Sequence, residues 1–295
     1  MAPTNVRDPR NAGPKPPFPQ RPLNHPGSVR QMDPTPDHGE KSYEGSDRLK
    51  GRVAVITGGD SGIGRAVAIA FAKEGAKVLI SFLPEEQADA DDTVAAIESS
   101  GGTVVKVPGD LREIKTIETL VSTAVERFGH LDIVVNNAGY QMSHEGIEEL
   151  SPEELEHTFR VNVFATFLLS QAALPKMEPG GVILNTTSIQ AYDPSPQLVA
   201  YAATKAAILS MTKSISSIAM KRGIRVNAVA PGPVWTPLIP STMPEEKAKN
   251  FGKNTDFGRP AQPVEMARIF VFLASDDASY VTGEVYEATG GQTPY

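Results

Sequence analysis

This sequence predicts a single α/β domain, a doubly wound and mostly parallel sheet with helices on both faces, on the strength of three observations. The apolar run Val53-Ala54-Val55-Ile56 passes directly into Thr57-Gly58-Gly59-Asp60-Ser61-Gly62-Ile63-Gly64, and then into the helical pattern Val67, Ile69, Ala70, Phe71. Short β-like runs alternate with longer runs of helical period, the order that builds right-handed βαβ units and a sheet covered on both faces. Gly75, Gly101 and Gly129 stand where helix stops are expected.

Taken in order, the chain begins with a proline-rich arm over residues 1–47, with prolines at 3, 9, 14, 16, 17, 19, 22, 26, 34 and 36. Composition alone admits a disordered tail or a docked extended segment. The spaced apolar residues Phe18, Leu23, Val29, Met32 and Tyr43 have no use in a solvated tail, so we expect the arm to dock as part of an oligomer. The catalytic domain is expected over residues 48–295. Its strands are read at 53–56, 77–82, 103–107, 131–135, 182–187, 224–229 and 284–287. Helices are read at 86–99 and 114–128. Ser151-Pro152-Glu153-Glu154 has the form of a capping box with proline at the first helical position, so a long helix carrying Asn162 should follow. Another helix runs from Leu198 to about Arg222, a proline-rich segment occupies 231–263, and a last helix spans 264–274.

Composition excludes several functions. The net charge of −7 gives no basic face to neutralise phosphates, so nucleic-acid binding is not expected. Cysteine is absent, which removes thiol catalysis, and five scattered histidines show no metal-ligand spacing, so no metal is expected. No segment has the run of roughly 20 apolar residues that a membrane span needs, and residues 1–29 contain no apolar leader run. Arg7, Arg10, Arg21 and Arg30 faintly resemble a transit peptide, but the prolines oppose the amphipathic helix that such peptides form. The chain reads as cytoplasmic.

Two stretches carry chemistry. In the glycine turn, residues without side chains let the backbone approach a pyrophosphate, and the following helix offers free N–H groups and a positive dipole end. In the second, Tyr201 and Lys205 stand four residues apart on one helical face, and Ser188 precedes Tyr201 by thirteen at the end of an apolar run. An ammonium beside a phenol favours the phenolate, so we expect Lys205 to lower the pKa of Tyr201 and make the pair a general acid and base.

With these motifs stand Asp110-Leu111, Asn136-Asn137-Ala138-Gly139, Asn162, Pro231-Gly232 with Thr236, and Tyr280-Val281-Thr282-Gly283. In this order they resemble the classical short-chain dehydrogenases/reductases over about residues 48–291, and within them the glucose/ribitol dehydrogenase-like oxidoreductases with a proline-rich extension. The resemblance implies a Rossmann fold with seven strands and a metal-free hydride transfer between nicotinamide and a carbonyl or alcohol carbon. Asn162, Ser188, Tyr201 and Lys205 would form the catalytic tetrad, with Asn162 holding a water that relays protons and Ser188 positioning the carbonyl oxygen. Cofactor contacts would come from Gly58, Asp60, Ser61, Gly62, Ile63, Gly64, Phe82, Asp110, Leu111, Asn137, Ala138, Gly139, Tyr201, Lys205, Pro231, Gly232, Val234 and Thr236. Such relatives usually assemble as homotetramers.

The choice between NAD and NADP stays open. An acid at the end of the second strand binds the ribose diol and a basic residue there receives a 2′-phosphate, whereas this chain has Phe82. The substrate pocket is expected from Gln190, Tyr192, Gln197, Trp235 and the loop 237–257, suiting a polyol, a sugar or a small aldehyde or ketone. Two other readings remain: a non-catalytic dinucleotide-binding redox sensor, and a structural stress protein acting through its arm.

Overall fold

Every residue of β1 (Val53–Thr57) is buried because helices cover the sheet on both sides. The other strands are β2 (Lys77–Phe82), β3 (Thr103–Pro108), β4 (Ile133–Asn136), β5 (Val182–Thr186), β6 (Arg225–Pro231) and β7 (Val285–Ala288). The helices are α1 (Gly62–Lys73), α2 (Gln87–Ser99), α3 (Ile114–Phe128), α4 (Pro152–Phe159), α5 (Ala165–Ala173), α6 (Val199–Met220), α7 (Leu238–Thr242), α8 (Glu245–Lys249) and α9 (Pro263–Ala274). This computed structural model describes residues 8–292. The first residues of the arm, Arg7 among them, and the last three of the catalytic domain lie outside the described residues.

The strands form one sheet in the order β3-β2-β1-β4-β5-β6-β7, and each pairing is parallel. Alternation along β1 divides the core. Ala54 and Ile56 join the layer under α1 and α9, while Val53 and Val55 join the layer that α3 and α5 cover. Strand order reverses between β1 and β4, so a crevice opens above their carboxyl ends.

Two expected elements differ. The long helix through Asn162 is interrupted: α4 passes into a π-helical turn, Arg160–Phe164, before α5 begins. Ser151 accepts the Glu154 N–H at 3.1 Å, but Glu154 turns its carboxylate to His144 at 2.7 Å instead of closing the capping box. The proline-rich segment 231–263 contains α7 and α8, each one short turn stopped by a following proline or glycine region.

The arm docks on the body of its own chain, as the spaced apolar residues Phe18, Val29, Met32 and Tyr43 require, since all four are buried. Its anchors have intrachain partners. Phe18 stacks on Trp235 with ring centroids 4.3 Å apart, the Trp235 indole N–H donates to Pro34 O at 2.8 Å, and the Leu23 N–H donates to Pro240 O at 2.9 Å. Farther on, the Val29 N–H donates to Asp89 Oδ2 at 2.9 Å, and the Asp37 N–H donates to Gln262 Oε1 at 2.9 Å.

At its base the arm is held by Glu74, a fully buried carboxylate at the end of α1. It accepts from the Tyr43 hydroxyl at 2.5 Å, the Ser46 N–H at 2.8 Å and the Arg48 guanidinium at 2.7 Å. Burial pushes this carboxyl up, but the bonds from Arg48 and Tyr43 outweigh it and hold the group down at about 2. Because the folded value lies below the ordinary one, the stabilisation is present above about pH 4.5 and is lost as pH falls through about 2. Glu74→Gln should therefore lower stability by ~2 kcal/mol at neutral pH. Urea unfolding of both proteins checks this, and the gap between their midpoints should close toward about pH 2.

Candidate active site

The glycine turn is shaped by lack of space. Gly58 and Gly62 have φ of +62° and +51°, and a Cβ on Gly64 would lie 1.9 Å from the Gly58 carbonyl oxygen. Thr57 Oγ1 accepts the N–H groups of Asn137 and Ala138 at 2.9 and 3.1 Å, and the Asn137 amide donates to Thr57 O at 3.1 Å. The turn after β4 is thereby tied to the turn after β1. No side chain caps the start of α1, so its first N–H groups are left for a ligand.

Above this cradle lies a cavity of about 1090 Å³. Gly58, Asp60, Ser61, Gly62, Ile63, Phe82, Asp110, Leu111, Asn137, Ala138, Gly139, Pro231, Gly232, Val234 and Thr236 line it, as do Ser188, Tyr201 and Lys205. Gly64 does not; its place is the packing of α1 on β1. The volume and the cradle fit an extended dinucleotide. Beside Phe82, the structure brings two carboxyls together. Asp60 is pushed up to about 6 by burial, and Glu86 up to about 8 by burial and then by Asp60. Asp60 Oδ2 has no hydrogen-bond partner among the described residues.

At the other reacting groups, Ser188 and Tyr201 line the same cavity, Ser188 Oγ accepts the Gln190 N–H at 3.2 Å, and the Lys205 ammonium lies 5.3 Å from the Tyr201 ring centroid. Lys205 Nζ donates to Thr186 O at 2.8 Å. Burial pushes the Tyr201 phenol up to about 12, against a smaller lowering effect of the nearby Ser188 hydroxyl, and pushes Lys205 down to about 8. The expected lowering of the phenol by Lys205 is not the dominant effect in this site. The ammonium sits over the ring face and is bonded to a carbonyl, so burial dominates both groups.

Asn162 is fully buried and does not line the cavity. Its Oδ1 accepts the Tyr140 N–H at 2.7 Å, and its Nδ2 donates to Tyr140 O and Thr204 Oγ1, both at 2.9 Å. The side chain clamps the loop after β4 onto α6. The pocket expectation also needs correction. Trp235 is fully buried beneath Phe18, Gln197 donates to Glu145 at 2.8 Å, and neither these two nor Tyr192 lines the cavity, whereas Gln190 does. Tyr140, His157 and Arg112 line it without having been singled out in the sequence; Tyr140 follows Gly139 directly, which was the available signal.

A family model described as enoyl-(acyl carrier protein) reductase matches residues 58–293. An uncharacterized oxidoreductase of Bacillus subtilis (strain 168) is 47% identical over 295 residues, covering 99% of both chains, so the likeness includes the arm. A glucose and ribitol dehydrogenase of Daucus carota is 43% identical over 278 residues, 92% of this chain and 96% of that one. Among solved structures, a short chain dehydrogenase from Burkholderia cenocepacia J2315 in complex with NADP superposes with a TM-score of 0.77 at 31% identity, over 83% of this chain and 98% of that one.

The turn geometry generates one test. Gly62→Val forces a branched residue into left-handed backbone and against Thr236. Strain of ~1–3 kcal/mol should weaken dinucleotide binding by about tenfold or more, read by reduced-coenzyme fluorescence titration.

Proposed function

The chain belongs to the short-chain dehydrogenase/reductase family and is an NAD(P)-binding oxidoreductase, and from that premise we propose that it interconverts a carbonyl and an alcohol, with Tyr201 as general acid and base. The observation that carries this reading is the convergence of Ser188, Tyr201 and Lys205 on the cavity that the glycine turn also lines. When bound there, the nicotinamide gives or takes the hydride. The Ser188 hydroxyl holds the substrate oxygen, and the Tyr201 hydroxyl donates a proton to the alkoxide as it develops. A phenol held at about 12 is protonated at neutral pH, the form that reduction of a carbonyl requires. Lys205 would hold the nicotinamide ribose, and its ammonium lies over the ring of Tyr201. Asn162 is a positioning residue, holding the loop after β4 against α6.

The substrate we propose is a polyol, a sugar or a small aldehyde or ketone, in keeping with the glucose and ribitol dehydrogenase named among its relatives. A cytoplasmic homotetramer is the assembly we propose. Phe164 and Phe167 are 48% and 45% exposed on neighbouring turns, an apolar surface suited to a second copy. Among the described residues no helix is long and apolar enough to cross a membrane.

Tyr201→Phe should lower kcat by about a thousandfold while coenzyme affinity stays within about twofold, because it removes the proton and little volume. Retention of most of the wild-type kcat would sink the mechanism. Lys205→Met should lower both rate and coenzyme affinity. Since burial places Lys205 at about 8, it is charged below that pH and neutral above it. Wild-type coenzyme affinity should therefore fall as pH rises through about 8, and the variant should lack that limb. For the assembly, Phe167→Asp should shift the sedimentation coefficient toward smaller species; an unchanged value would rule this face out of the contact.

A further inference from the structure

Residues 25–27 of the arm cross the mouth of the cavity and line it together with Ser61, Gly62 and Asp110. This crossing is held at both sides. Before it, the Leu23 N–H donates to Pro240 O at 2.9 Å on α7. After it, Ser28 Oγ and the Val29 N–H donate to the two oxygens of Asp89 on α2, at 3.0 and 2.9 Å. Gly27 is buried between, and a Cβ there would lie 2.7 Å from Pro237 O, so the segment has no slack to move inward.

Within this crossing, His25 stands at the cavity rim, its ring 5.1 Å from that of Tyr140 and edge-on to it. Neither ring nitrogen has a hydrogen-bond partner among the described residues. The lining is rich in carboxyls, among them Asp60, Glu85, Glu86 and Asp110. Its cations are few: Arg112 is bonded to Asp110, and Lys205, which donates to Thr186 O, is the group assigned above to the nicotinamide ribose. A dinucleotide brings at least two negative charges into this setting, and the imidazole of His25 is a free donor at the opening through which they enter.

We propose that residues 25–27 form the outer wall of the coenzyme cleft of their own chain, with His25 donating to a phosphate group of the bound dinucleotide. The inference rests on the coenzyme reading above. The phosphate is either the diphosphate common to both coenzymes or the 2′-phosphate that NADP alone carries. The second source would place on the arm the basic group that is missing at Phe82. The titratable groups facing His25 are Tyr140 and His157 on one side and Glu85 on the other. Partial burial and the nearby His157 push the free imidazole below its usual value, so a bound phosphate would draw a proton onto it.

The test is fluorescence titration of full-length wild type, His25→Ala and His25→Gln with NADH and with NADPH. Wild-type binding of neither coenzyme would overturn the coenzyme reading itself. Given wild-type binding, either variant should weaken it by about three- to tenfold, a figure kept small because the rim is open to water. Equal loss for both coenzymes identifies the diphosphate, and loss for NADPH alone identifies the 2′-phosphate. Wild-type affinity should also rise as pH falls toward and below the ordinary imidazole value of 6.5, apart from the limb of Lys205 near 8, and His25→Gln should flatten that slope. Dissociation constants within twofold of wild type for both coenzymes in both variants would overturn the role of His25. The wall is tested on unmodified protein by tryptic cleavage after Arg30, which is exposed beside the crossing. Saturating coenzyme should slow that cleavage severalfold, and an unchanged rate would overturn the wall.

Discussion

Between the Gly58 carbonyl and the backbone of Gly64 there is no room for a methyl group, and the rest of the site depends on that closeness. It lets α1 start immediately above β1, so the uncapped N–H groups of the helix face the crevice at the sheet's switch point. Thr57 and Asn137 extend the constraint sideways, binding the β1 turn to the β4 turn through both backbone and side chain. What remains between these turns and α6 is the cavity. Its shape is therefore set by backbone packing more than by any one side chain that lines it.

A second set of buried polar groups fixes α6 in rotation. Asn136 donates to Asn185 Oδ1 at 2.8 Å, Asn185 donates to Thr212 Oγ1 at 2.9 Å, and Asn162 reaches Thr204 at 2.9 Å. Each of these groups would cost free energy if left unpaired, so the helix has one low-energy register against β4 and β5. Tyr201 and Lys205 share that helix, and their direction into the cavity follows. The same burial that orders them raises the phenol and depresses the ammonium, which leaves the site with a neutral acid and a cation that titrates near working pH.

The parts of this molecule that obey short-range rules were legible in its sequence. Helix α3 occupies the expected span Ile114–Phe128, because its apolar period and the glycine after it are local signals. The glycine turn and the Tyr201–Lys205 spacing are local as well. What failed was long-range. Trp235 looks like a pocket residue until the arm, some two hundred positions earlier, is seen to bury it under Phe18 and Pro34. The π-helical turn at Asn162 coincides with an amide bonded to Tyr140, a contact that helical periodicity cannot carry. The rise in the Tyr201 phenol needs the depth of the site, whereas sequence spacing reports only that Lys205 is near.

The arm and the loop beyond β6 make sense together. Helices α7 and α8 have five residues each, too few to be stable alone. Their apolar faces, through Ile239 and Ala248, join Phe18, Met32 and Trp235 in a separate small core, so the arm is what holds this loop in shape. Where the arm crosses the cavity, however, the buried residues are the small Gly27 and Val29, and a few hydrogen bonds hold the stretch, from Leu23 on one side and from Ser28 and Val29 on the other. Such bonds contribute about 1 kcal/mol each in net terms, somewhat more where the acceptor is charged. Opening the crossing is thus far less costly than releasing the Phe18–Trp235 core or the Glu74 anchor.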